Sequence, residues 1–130
     1  MATKKRAFIS FDFDHDEGTK IMLAGQANLQ DSPFDFQDAS VKEHLTGDWK
    51  DKVRRRMDNI DIVIVLCGEQ THKATGVAEE LKIAQEKSKP YFHLAAYSDK
   101  TCKMPTSAKP ADKLYNWTWD NLKTLINGGR

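Results

Sequence analysis

The fold of this chain is decided by residues 61–67, which read DIVIVLC. Five consecutive aliphatic residues, four of them β-branched, are typical of a strand that is covered on both faces, as in a parallel sheet. Gly68 ends the run. We therefore predict that this stretch forms the central strand of an α/β domain.

Helical and β-prone segments alternate along the rest of the chain. Apolar residues at helical spacing predict helices over residues 17–29, 49–60, 74–87 and 119–126, and β-prone runs predict strands over 6–13, 34–37, 91–97 and 113–116. The first helix is expected to have Asp16 as its N-cap and a buried face of Ile21, Met22, Gly25 and Leu29. The alternation predicts a mostly parallel sheet with helices on both faces.

Length and composition restrict the classes of protein to consider. At 130 residues the chain is expected to form one domain over residues 1–130. With 20 basic and 19 acidic residues it has no overall field to attract a nucleic acid or an anionic membrane, and we expect neither partner. Two cysteines without metal-ligand spacing, and no apolar run long enough to span a bilayer, indicate a reduced, cytoplasmic protein.

Ligands of parallel α/β sheets bind beyond the carboxyl ends of the strands. Residues 12–16, 38–40 and 68–76 are expected to meet there. The first group is acidic, and an apolar strand before Asp-x-Asp invites comparison with haloacid-dehalogenase-type phosphatases. Those enzymes need a hydroxyl-bearing residue after a later strand, whereas the central strand ends in Cys67-Gly68. Cys67 also stands where a response-regulator receiver needs an Asp, so we favour a solvated turn whose acids stabilise the next helix.

The helix after the central strand carries two adjacent glutamates with different environments. At about 100° per residue, Glu79 points away from the apolar stripe of Val77, Leu81 and Ala84, whereas Glu80 falls about 60° from Val77. Glu80 is therefore predicted at the boundary of the core, where partial burial raises a carboxyl pKa. The sequence leaves two roles open for Glu80: contact with a ligand, or a structural role in which it pairs with a nearby Lys.

Histidines and arginines give weaker signals. The four histidines lack the spacing of a helical metal site, so no metal is expected; His93 is predicted in the core, and His15, His44 and His72 on loops. Residues 54–56 are three arginines, which we interpret as a solvated helix face rather than a nucleic-acid patch.

Several segments together resemble one known family. FISFD at residues 8–12 resembles the first-strand motif of Toll/interleukin-1 receptor (TIR) domains. Residues 49–53 (WKDKV) and 60–65 (IDIVIV) resemble bacterial TIR-like proteins that were once grouped as a domain of unknown function. Residues 68–72 (GEQTH) and 76–81 (GVAEEL) continue the likeness, which covers nearly the whole chain.

The resemblance implies a fold, an activity and partners. The implied fold is flavodoxin-like, a three-layer sandwich with a five-stranded, mostly parallel sheet of order 2-1-3-4-5. The implied activity is NAD cleavage, and the nearest functional relatives are the TIR subunits of Thoeris antiphage defence. When phage infection activates them, such proteins make an ADP-ribose-derived or cyclic ADP-ribose signal that switches on a separate effector. NAD would be a substrate rather than a tightly bound cofactor, and copies could associate through TIR-like surfaces.

The resemblance also implies site residues. In the family the essential carboxylate follows a Trp in a Trp-x-x-x-Glu arrangement; Glu80 occupies the Glu position and Gly76 the Trp position. Glu80 is thus implied as the catalytic residue, and Trp49 or Phe11 as a replacement aromatic wall. The implied substrate-binding residues are Phe11, Asp12, Asp14, Asp38, Ser40, Trp49, His72 and Gly76.

This chemistry is compatible with a single catalytic carboxylate, because nicotinamide leaves as a neutral ring and needs no general acid. The alternative is a TIR-like interaction or nucleotide-sensing module without turnover. Gly76 favours the module, and the helical phase of Glu80 favours the enzyme.

Overall fold

The computed structural model describes residues 4–40 and 48–128. The predicted order of elements is confirmed. The loop position predicted for His44 falls outside the described residues. Within those residues the elements are β1 (Lys5–Ser10), α1 (Phe13–Gln26), β2 (Phe34–Ala39), α2 (Trp49–Met57), β3 (Ile62–Cys67), a 3-10 helix (Thr71–Lys73), α3 (Thr75–Glu86), β4 (Tyr91–Ala95), β5 (Leu114–Asn116) and α4 (Trp119–Ile126).

All five strands are parallel, in the order β2-β1-β3-β4-β5. This confirms the flavodoxin-like sheet and its predicted strand order. The central strand β3 pairs with β1 and β4, and all six of its residues are buried. Strand order reverses between β1 and β3, which is the switch point where sheets of this kind bind ligands.

Two helices cover each face of the sheet. Helices α1 and α4 pack against Ile64 and Leu66 of β3, whereas α2 and α3 pack against Val63 and Val65. Successive strand residues point to opposite faces, so one aliphatic run supplies both cores. The predicted three-layer arrangement is confirmed.

The connection between β1 and α1 differs from its prediction. β1 ends at Ser10, and α1 begins at Phe13 with Asp12 as its N-cap, instead of beginning at Glu17. The Asp12 side chain accepts a hydrogen bond from the backbone of the first turn, which starts the helix early. The predicted cap, Asp16, lies inside the helix at a kink with φ −120° and ψ 18°.

The predicted buried face of α1 is wrong. Ile21 and Met22 are 60% and 64% exposed, while the helix buries Asp16, Thr19 and Leu23. These three residues share one helical face. The buried face of α1 therefore runs through Asp16, Thr19 and Leu23 and leaves the apolar Ile21 and Met22 facing solvent.

Candidate functional site

Glu80 lies in a buried hydrogen-bond network. Its Oε1 accepts hydrogen bonds from the hydroxyl of Ser10, at 2.7 Å, and from the hydroxyl of Ser40. Ser40 Oγ in turn accepts the backbone N–H of Phe11 at 3.0 Å. Glu80 is only 1% exposed, so the boundary position predicted for it is wrong. Its hydroxyl partners offset part of the cost of burying a carboxyl group.

Parallel strands bring the two serines together. Ser10 is the last residue of β1, Ser40 directly follows β2, and the Ser40 N–H donates to the carbonyl of Ile9 at 2.9 Å. Helix α3 then places Glu80 over both strand ends. Its neighbour Glu79 points outward as predicted, with ion pairs to Lys50 at 3.4 Å and to Lys82 at 3.6 Å.

Burial controls the protonation of Glu80. It raises the pKa of this carboxyl to about 7, although the hydrogen bonds from Ser40 and Ser10 lower it. The charge of Asp38 raises the pKa slightly further, and that of Arg56 lowers it. Both protonation states are therefore populated near neutral pH.

A cleft of about 240 Å³ opens at the switch point between β1 and β3. Val77 lines it one helical turn before Glu80, which is not itself a lining residue. The cleft is formed by residues 11–15, Gln70 and residues 73–77.

The structure separates the predicted binding residues into two groups. Four of them line the cleft: Phe11, Asp12, Asp14 and Gly76. The others lie elsewhere, and Ser40 among them contacts Glu80 directly.

Besides Ser40, three of the predicted substrate-binding residues do not line the cleft. The Asp38 carboxylate pairs with Arg56 Nε at 3.3 Å. Trp49 packs against the core under α2 and α3. His72 is in the 3-10 helix, where its Nδ1 is buried without a hydrogen-bond partner among the described residues.

His15, which is predicted on a loop at this edge of the sheet, lies at the same edge but in the first turn of α1. His15 Nδ1 lies 2.6 Å from Asp12 Oδ2, and this contact raises the pKa of His15. His15 and Lys73 both line the cleft and bring positive charge to it. The histidine has the i, i+3 relation to Asp12 that permits such a contact on a helix, which is the signal in the sequence that could have indicated it.

The same turn is only partly solvated. Asp16 is 2% exposed, and its Oδ1 accepts a hydrogen bond from the Tyr97 hydroxyl at 2.9 Å. Its Oδ2 has no hydrogen-bond partner among the described residues, and burial raises the pKa of this carboxyl. Asp12 is also buried, so the interpretation of this segment as a solvated turn is wrong for both residues.

Cys67, His93 and Asp112 lie in the order of a catalytic triad. His93 Nδ1 is 3.8 Å from Cys67 Sγ, and His93 Nε2 is 3.3 Å from Asp112 Oδ2. However, Cys67 is fully buried, and burial raises the pKa of its thiol, so the thiolate that nucleophilic catalysis needs is disfavoured. The trio is structural, and the prediction that His93 is a core residue is confirmed.

Residues 4–40 and 48–128 contain neither a metal-binding cluster nor a membrane-spanning helix. No group of three His, Cys, Asp or Glu side chains is placed to hold a metal ion. No helix in these ranges is long and apolar enough to cross a membrane.

The parallel sheet, its strand order and the carboxylate on the helix after the central strand define a TIR-like α/β domain. The family model for the TIR-like domain of the Thoeris protein ThsB matches residues 8–122, and the chain belongs to this family. No curated protein matches the chain.

Proposed function

We propose that this protein cleaves the bond between nicotinamide and ribose in NAD, making an ADP-ribose-derived or cyclic ADP-ribose signal in antiphage defence. Membership of the ThsB family supports the defence role. The observation that carries the catalytic part is the Glu80 carboxyl, held by Ser10 and Ser40 beside the switch-point cleft.

Glu80 would act in its ionised form. As the pyridinium bond breaks, nicotinamide takes the bonding electron pair and leaves as a neutral ring, while positive charge develops on the ribose. A carboxylate stabilises that charge and can accept hydrogen bonds from the ribose hydroxyls. Water, or a nucleophilic atom of the same ADP-ribose unit, then completes the reaction.

The cleft supplies cations for the diphosphate. Lys73 and His15 line it, and the pairing of His15 with Asp12 favours the charged imidazolium and reduces the negative charge of the acidic turn. Phe11 and Phe13, whose ring centroids are 5.6 Å apart, provide its aromatic wall in place of the Trp that Gly76 replaces.

Access to Glu80 requires a structural change. At 1% exposure the carboxyl group does not reach the cleft, so the Ser40–Glu80 contact must rearrange before a ribose can approach. We therefore expect low activity in the resting protein and higher activity after its trigger. The same burial favours the second candidate function, an interaction or nucleotide-sensing module without turnover.

Nicotinamide release from NAD tests the proposal. Purified wild-type protein, Glu80→Gln and Glu79→Gln are incubated with NAD, with and without lysate from phage-infected cells, and nicotinamide is measured by chromatography. Glu79→Gln is the matched control, because it removes the neighbouring charge on the outer side of the same helix. We expect release from the wild type and Glu79→Gln and at least a hundredfold loss in Glu80→Gln, of the order found when a key electrostatic group is removed.

The alternatives give different results. Release that survives Glu80→Gln would assign the chemistry to another residue. Absence of release in every condition, from protein that unfolds cooperatively on heating, would favour the interaction module.

A further inference from the structure

A second concavity, larger than the cleft, lies on the other side of the sheet's switch point. It measures about 720 Å³ and opens where β4 and β5 end, alongside α1. No described residue lines both this groove and the cleft. We call it the β4–β5 groove. The residues that line it include Met22, Gln26, Tyr97, Lys100, Trp117 and Trp119.

Three of the described aromatic side chains line the groove. Tyr97, Trp117 and Trp119 are all half-buried. Trp117 Nε1 donates to Gln26 Oε1 at 3.0 Å, and Trp119 Nε1 donates to Asp31 Oδ2 at 3.3 Å. Because these hydrogen bonds orient both indoles, little side-chain entropy remains to be lost when a ligand packs against them. Oriented aromatic rings in a concave surface are suited to stacking with a planar ring.

The groove has a single charged residue among its described lining residues, which is a lysine. This residue is Lys100, and its Nζ lies 4.4 Å from the centroid of the Tyr97 ring. The nearest carboxylate partner of Lys100 is Glu69, at 3.9 Å between two exposed side chains, a pair that contributes little and can be exchanged for a ligand. An anionic group above Tyr97 would meet this ammonium group.

An exposed apolar side chain lies at the edge of the groove. Met22, at the rim of the groove, is 64% exposed, although its side chain is among the most apolar of α1. A ligand in the groove would cover Met22 together with the parts of Trp117 and Trp119 that line it. Burial of such surface is favourable.

We propose that the β4–β5 groove is a second ligand site, separate from the cleft, for a planar aromatic ring that carries an anionic group, as in a purine mononucleotide. The ring stacks on Trp117 and Trp119, and the anion pairs with Lys100. This site does not depend on NAD cleavage, since it shares no described residue with the cleft.

Amide chemical shifts and isothermal calorimetry with AMP as the probe test the proposal. AMP should shift the amides of Ser98 and Thr118 in the groove, and the amides of Gln70 and Thr75 report separately any AMP that the cations of the cleft bind. Adenosine, which lacks the phosphate, should bind at least about tenfold more weakly, in keeping with the strength of charge-assisted hydrogen bonds.

Variants distinguish the two concavities. Lys100→Gln should abolish the preference for AMP over adenosine, and Trp119→Leu should weaken both ligands at least about tenfold. Lys73→Gln, in the cleft, is the control and should leave the AMP-induced shifts of Ser98 and Thr118 unchanged. Trp119 also packs against the core, so Trp119→Leu could unfold the protein. In that case the Lys100→Gln variant, at an exposed position, decides the test.

Two results would overturn the proposal. One is the absence of saturable AMP binding at millimolar concentration. The other is binding that Lys73→Gln removes and Lys100→Gln leaves intact, which would place the nucleotide in the cleft. Neither result depends on nicotinamide release, so a failure here is distinguishable from a failure of the proposed activity.

Discussion

Ser10 and Glu80 are separated by 70 positions in the sequence, yet the serine hydroxyl donates a 2.7 Å hydrogen bond to the buried carboxyl. The contact joins the end of β1 to the middle of α3. The contact holds the ionisable carboxyl of Glu80 in the protein interior. Both the stability of the folded protein and the proposed reaction therefore depend on pH.

The first prediction concerns stability. The folded-state pKa of Glu80 is raised from 4.5 to about 7, so the native state resists ionisation that the unfolded chain undergoes freely. The contribution of Glu80 to the free energy of unfolding is fully present below pH 4.5 and is lost as pH rises through 7, by about 3 kcal/mol at most. Glu80→Gln removes this pH dependence. Its free energy of unfolding should therefore increase relative to that of the wild type as the pH is raised from 5 to 8.

Urea unfolding at several pH values measures this difference. Glu79→Gln is again the control, because the partly exposed Glu79 should show no such trend. A constant difference between Glu80→Gln and the wild type across this range would contradict the raised pKa.

The second prediction concerns the rate of nicotinamide release. Since the ionised form of Glu80 is the proposed catalytic form, kcat/KM should rise with pH and level off above a pKa near 7. Ser10→Ala removes a hydrogen bond that lowers this pKa, so its profile should move to higher pH. A profile that is flat from pH 5.5 to pH 8.5 would argue against Glu80 as the group that titrates.

The third prediction concerns the cations of the cleft. Lys73→Gln should raise KM for NAD about tenfold with little change in kcat, because it removes a charge-assisted contact to a part of the substrate that does not react. The effect should diminish at high salt. Lys87→Gln, which removes a lysine paired with Asp58 away from the cleft, provides the control. Equal KM values for the two variants would exclude Lys73 from substrate binding.

The fourth prediction concerns the packing of Asp16 on Gly68. A Cβ atom added at Gly68 would lie 2.7 Å from Asp16 Cγ and closer still to both carboxylate oxygens. Gly68→Ala should therefore destabilise the protein by about 1–3 kcal/mol. The same substitution should cost less in an Asp16→Ala background, which a double-mutant cycle by urea unfolding measures.

Gly18→Ala is the control for that experiment. Its added Cβ would meet nothing within 4 Å, so the substitution should be neutral or slightly stabilising in the helix. If Gly68→Ala costs as much without the Asp16 carboxylate as with it, the close packing of these residues is not the cause.

The sequence by itself determined the features that depend on local pattern. The aliphatic run of β3 specified a strand covered on both faces, and the alternation of helical and β-prone segments specified a parallel sheet between two helical layers. Helical phase also separated Glu79 from Glu80 correctly. These features follow from nearest neighbours and from periods of 2 and 3.6 residues, which a single sequence displays.

Only the tertiary structure decided which polar groups are buried and what they contact. Ser10 and Ser40 meet Glu80 because adjacent parallel strands end at one edge of the sheet. Helix α1 buries Asp16 and leaves Ile21 facing solvent, against the apolar pattern of that helix. The physical reason is that such contacts join residues far apart in sequence, and their free energy depends on the partners that the folded chain supplies.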